Sequence, residues 1–166
     1  MTIYKLAITR FDNNTYRENR EWCRIHEFNG TIYGSPIRIS ESVLPDTILF
    51  VFEMNNSINE IMGIGIIKHG HGSGEVETNK KKYKIYNDNN YNRFIYQSKY
   101  RIDFDIEYLP IRFHKKILLL EKLLFKGSRH SKRGQGINIM PSWITLEISK
   151  LTLIDDICAI LQRISA

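Results

Sequence analysis

The sequence holds two cysteines, Cys23 and Cys158, far apart in the chain. With no CxxC pair, neither a disulfide framework nor a thiolate zinc site is expected. Both thiols read as buried or idle, which suits a reducing compartment. A run of about 18 apolar residues is also missing, so no membrane span is expected. The opening "MTIYKLAITRF" lacks the basic, apolar and small-residue regions of a secretory signal. The expected location is therefore intracellular: cytoplasm or nucleus, including that of an infected host cell. There is no GxSxG, no P-loop and no supported Cys–His pair, and glycines 70, 72 and 74 are followed by no GK[ST]. Internal repeats and low-complexity tails are absent as well.

The 166 residues suit one domain, and 42% hydrophobic content is enough for a real core. Isoleucine and asparagine are frequent, as in a genome rich in A and T. The net charge is +6, and its placement is uneven. Residues 79–101 carry seven Lys/Arg against Asp88, and residues 112–133 carry eight against Glu121. Those two stretches sum to +13, leaving −7 for the remainder. A basic face on an acidic body is the footprint of a polyanion binder; two solvated loops and a helix face are the bland alternative.

Hydropathy patterning predicts an α+β chain. Residues 4–9 read as a strand, followed by a helix through "TYRENREWCRIHEF" capped by Asn14 or Thr15. Pro36 keeps "TIYGSPIRI" off a central strand. "DTILFVFEM" and "IMGIGIIKH" read as buried strands around an "NNSINE" turn. Gly63 and Gly65 leave one face of the second strand bare, inviting a neighbouring backbone or a ligand. Residues 100–109 alternate cleanly and predict a half-buried strand, with Ile102, Phe104, Ile106 and Tyr108 on one face. A helix over 111–125 presents Phe113, Ile117, Leu120 and Leu124 on one stripe. "INIM" is a short strand candidate, "WITLEIS" is ambiguous, and a terminal helix has Thr152 as a cap. Strands bunched between helices suggest a small curled, mostly antiparallel β-barrel with flanking helices.

Candidate chemistry concentrates in "FKGSRHSKRGQGI". Lys126, Arg129, Lys132 and Arg133 supply charge, Gly134 lets backbone N–H groups approach phosphate, and Gln135 reads a base edge or caps the loop. The other basic stretch interleaves Tyr83, Tyr86, Tyr91, Phe94, Tyr96 and Tyr100, rings of the kind on which bases stack. His69-Gly70-His71 near Glu75 reads as a plain loop rather than a metal site. The HxK of His130-Ser131-Lys132 has no second copy and is rejected as catalytic. Asp103, Asp105 and Glu107 read as the wet side of a strand rather than magnesium ligands. No catalytic residue, metal or cofactor is expected.

Residues 3–69 resemble the PUA-like superfamily, particularly its EVE and YTH branches. The resemblance rests on "IYKLAIT", "NNTYRENREW", the aromatic–Gly pair Tyr33-Gly34, Asp46 before "TILFVFE", the Asn55-Asn56-Ser57 turn and Gly63-Ile64-Gly65. The loop "FKGSRHSKRGQGI" is similar to a block in uncharacterised proteins of large DNA viruses. The resemblance implies one PUA-like domain over 1–166 with a C-terminal helical extension. It also implies an aromatic pocket that holds one nucleotide, often a modified base, beside a positive surface. Trp22, Tyr33, Asn55, Gly63, Gly65 and Tyr108 are the base-pocket candidates. Tyr33 replaces the usual tryptophan, and the only other tryptophan besides Trp22 is Trp143. The expected function is a non-catalytic nucleic-acid-binding module, RNA favoured over DNA, with no membrane partner. The related ASCH branch offers an alternative, an RNA-cleaving or amide-hydrolysing enzyme with Lys68 or His130 as base. A viral structural or partner-binding protein is the third reading.

Overall fold

The computed structural model describes residues 1–70, 76, 77 and 83–165. His71, Gly72, Gly74 and Glu75 lie outside them, so the loop reading of that motif lies outside as well. The chain is α+β. Strands β1 (Tyr4–Phe11), β3 (Ile48–Asn55), β4 (Glu60–Lys68), β7 (Arg101–Asp103) and β8 (Asn138–Ile139) form a five-stranded sheet ordered β7-β4-β3-β1-β8. β1 and β3 pair in parallel, and the other pairings in this sheet are antiparallel. A smaller antiparallel sheet, ordered β2-β6-β5, joins β2 (Thr31–Ser35), β6 (Phe94–Ser98) and β5 (Val76–Glu77). No closed barrel is detected among the described residues.

The large sheet is covered on both faces, which explains why β3 is almost continuously apolar. Leu6, Ile8, Phe50, Phe52, Met54 and Ile64 face a helical layer of α2 (Ile111–Phe125), α3 (Ser142–Glu147) and α4 (Lys150–Ser165). Ala7, Leu49, Val51 and Ile67 face the other way, toward the small sheet and α1 (Asn13–Ile25). The three C-terminal helices are thus a packed layer of the core. α2 follows the expected stripe, burying Phe113, Ile117, Leu120 and Leu124.

Two expectations are corrected. α1 is capped by Asp12 rather than Asn14 or Thr15: the Asp12 carboxylate accepts from the Thr15 N–H at 2.8 Å, and the Thr15 hydroxyl accepts from the Asp12 N–H at 3.0 Å. The strand expected over 100–109 stops at Asp103. There the side chain accepts from the Asp105 N–H at 2.9 Å and the carbonyl accepts from the Glu107 N–H at 2.9 Å. This Asx turn competes with the ladder, and Ile106 and Tyr108 emerge into solvent instead of continuing the buried face.

Candidate functional site

The basic loop is not a loose linker. α2 ends at Phe125 with Lys126 as its C-cap, and Gly127 takes the left-handed conformation (φ +81°) that turns the chain. The Ser131 N–H then donates to the Leu124 carbonyl at 2.6 Å. Asn56 Nδ2 donates to the Lys132 carbonyl at 2.9 Å. Ile137 is buried among the small-sheet residues, and β8 pairs with β1. The loop therefore carries the chain from the helical layer around the sheet edge to the opposite side.

There it closes over a cavity of about 200 Å3. The end of β1 (Thr9, Arg10, Phe11), Asp12 and Thr15 at the start of α1, and Tyr33-Gly34 of β2 supply one wall. Asn56, Tyr86, Tyr91, Lys132 and Gly134 to Gly136 supply the rest. Arg10 is half-buried, with Nε donating to the Ser131 carbonyl at 2.7 Å and Nη1 donating to Asn138 Oδ1. A Cβ on Gly134 would lie 3.1 Å from Nη1, so glycine lets the loop rest on the guanidinium. Burial lowers the Arg10 pKa below its ordinary value. No carboxylate forms an ion pair with it among the described residues. Asp12 is the one carboxylate in the lining, and it is already committed to the helix cap. Held by neutral acceptors alone, Arg10 keeps its positive field for a visiting anion.

The aromatic wall is uneven. Tyr33 (2% exposed) and Tyr86 (3%) belong to the core, whereas Tyr91 is half-buried and keeps more of its ring open. Tyr33 is held from behind: its hydroxyl donates to Glu53 Oε2 at 2.6 Å, and Arg101 donates to the same carboxylate at 3.0 and 2.6 Å. Desolvation, then the Glu53 charge, pushes the Tyr33 pKa well above its usual value. Burial works against the Arg101 charge, but Glu53 outweighs it and holds the guanidinium above its ordinary range. Asp103 and the Tyr16 hydroxyl complete the cluster around Arg101, at 2.8 and 3.3 Å.

The predicted residues divide accordingly. Lys132, Gly134 and Gln135 line the cavity, as does Tyr33. Lys126 and Arg133 are exposed outside it, and Arg129 lies over the Trp143 ring at 4.2 Å. Trp22 packs half-buried against His26, Phe28 and Tyr83. Asn55 staples its own turn, donating to Asn13 Oδ1 and accepting from the Ser57 N–H, each at 3.0 Å. The bare face of β4 is occupied by the protein itself: Gly65 receives Tyr33 Oη and Thr31, and Gly63 receives the Arg101 guanidinium. Tyr108 is exposed, with its carbonyl accepting from Arg163 of α4 at 2.5 Å. The six base-pocket candidates are thus not gathered in one place.

Sequence reasoning missed Arg10 and Asp12 as cavity residues and named Gly34 only as part of the aromatic–Gly pair. The available signal was a lone cation directly before the helix start in "RFDNNT". Lys68, which pairs with Asp46 at 3.6 Å, and His130, whose Nδ1 accepts from the Lys132 N–H at 3.2 Å, do not line the cavity. No group of His, Cys, Asp and Glu suited to a metal occurs among the described residues, and none of their helices is long and apolar enough to cross a membrane. Comparison with protein-family models, curated proteins and solved structures finds no match.

Proposed function

We propose that this protein is a non-catalytic nucleic-acid-binding module, RNA favoured, that seats one base or sugar-phosphate group of a single strand in the cavity at the β1–α1 junction. One observation carries the reading: Arg10, Lys132 and the glycine-rich backbone of 134–136 meet Tyr33, Tyr86 and Tyr91 around a single hollow. Cations and close-approaching N–H groups suit phosphate oxygens, and an open tyrosine ring suits a base. The volume of about 200 Å3 falls below the roughly 300–1,000 Å3 of drug-sized sites, so one base or sugar-phosphate group fits and the rest of the strand runs outside. Lys126, Arg129 and Arg133 would meet that outer part. The resemblance of residues 3–69 to the EVE and YTH branches supports the same reading, and the PUA-like assignment of the fold belongs with it.

The test is a titration of the whole protein with fluorescently labelled single-stranded RNA and DNA. Lys132→Gln should weaken RNA binding about tenfold, as the loss of one charge-assisted phosphate contact implies. Arg129→Ala with Arg133→Ala should weaken all sequences alike. Oligomers differing by one base methyl group decide whether a modified base is read. Full RNA affinity in a folded Lys132→Gln protein would refute the site.

A further inference from the structure

The outer face of α2 carries chemistry that nucleic-acid binding does not use. With about 100° per residue, the side opposite its buried stripe runs through Ile111, Lys115, Leu118, Leu119 and Lys122. Ile111 is 72% exposed, Leu118 48% and Leu119 43%. Lys115 and Lys122 are exposed, and neither makes an ion pair among the described residues. No acid stands in the stripe. Glu121 turns aside to accept the Ile61 N–H at 2.7 Å, and Asp156 is engaged by Arg112 and Lys116 on the flank. A solvated helix face is ordinarily polar; here three aliphatic side chains share the stripe with two unopposed cations over roughly 17 Å.

We propose that this face docks an acidic, amphipathic segment of a partner protein. Charge complementarity sets the sign of the partner, and the aliphatics set its form: apolar anchors at helical spacing, flanked by Asp or Glu. A nucleic acid would neutralise the lysines but leave Ile111, Leu118 and Leu119 against phosphate and water, and aliphatic side chains offer bases no stacking platform. A second copy meeting it about a two-fold axis would set lysine against lysine. The surface belongs to the helical layer, whereas the cavity opens on the other side of the large sheet. The proposal therefore stands or falls apart from the nucleotide reading.

The experiment pans a displayed library of random peptides of roughly 16 residues, long enough to span the face as a helix. The bait is the whole protein, and a variant combining Lys115→Glu, Leu118→Ser, Leu119→Ser and Lys122→Glu serves for counter-selection. The expected result is enrichment of acidic peptides with apolar residues three and four apart. Their affinity should fall by about tenfold or more on the variant, while its RNA affinity stays within about twofold of the parent. Should the combined variant not fold, Lys122→Glu alone carries the comparison. The proposal is overturned if no peptide distinguishes bait from variant, or if those that do carry no acidic excess. It is equally overturned if RNA or vesicles of mixed neutral and anionic phospholipid, rather than peptide, lose affinity on the variant.

Discussion

Arg10 shows what a single side chain can do when its partners are neutral. Paired with an aspartate it would be spent; held by a carbonyl and an amide oxygen, it keeps its charge for a visitor. Tyr33 presents the opposite case, a polar group wholly committed inside the core. Its hydroxyl needs a buried acceptor, Glu53 provides one, and Glu53 needs Arg101. This chain sets a pH limit on stability. The Tyr33 and Tyr86 pKa values are raised above the ordinary 10.0, chiefly by burial. Their contribution to stability is fully present below pH 10 and is lost as pH climbs further, because the unfolded chain ionises there and the native state does not. Denaturant melts should show stability falling above about pH 10. Of the nine tyrosines, Tyr33 and Tyr86 should show tyrosinate absorbance only on unfolding. Reversible titration of every tyrosine in the native protein would contradict this.

Among the elements, β4 makes the sharpest prediction. The bare face of Gly65 invited either a neighbouring backbone or a ligand; the protein itself fills it, and a Cβ there would lie 2.1 Å from Tyr33 Oη and 2.5 Å from Thr31 Cγ2. The glycines admit the second layer to the sheet, and Tyr33 cannot swing away while Glu53 holds it. Gly65→Ala should therefore cost about 1–3 kcal/mol, read as a lower urea midpoint at unchanged slope. Adding Tyr33→Phe should cost less than the two separate losses combined, because removing the hydroxyl relieves the shortest contact and leaves only that with Thr31. Strict additivity would mean the strand adjusts by another route. Element ends were less legible than element types. The clean alternation of 100–109 was real, but an Asx turn at Asp103 outcompeted it, and no periodicity count contains that local bond.

For the whole molecule, the described part of the first basic stretch from Tyr83 to Ser98 and the second stretch's α2 are split by the large sheet. α2 sits in the helical layer, whereas Tyr86, Tyr91 and β6 sit in the other. Only the loop after α2 crosses over, so among the described residues the cations of α2 and those near β6 do not meet on one face. Salt dependence can separate the groups. Lys132→Gln should flatten the plot of log affinity for single-stranded RNA against log salt by about 0.7, one phosphate contact. Lys122→Gln should leave that slope unchanged. Equal flattening by both would place RNA across the sheet edge and onto α2.

The alternation and apolar runs of the sequence determined the α+β class, β3, β4 and α2, because hydrophobic period is a local property that burial rewards wherever the element lands. The charge of the loop after α2 was equally plain, as was the presence of Tyr33 beside Gly34. Tertiary structure alone decided which of these meet. It filled the face of Gly63 and Gly65 with Arg101 and Tyr33, sent Tyr108 into solvent, and brought Arg10 under Gly134, more than a hundred residues away. A site needs its charges placed and its partners counted, and long-range packing sets both.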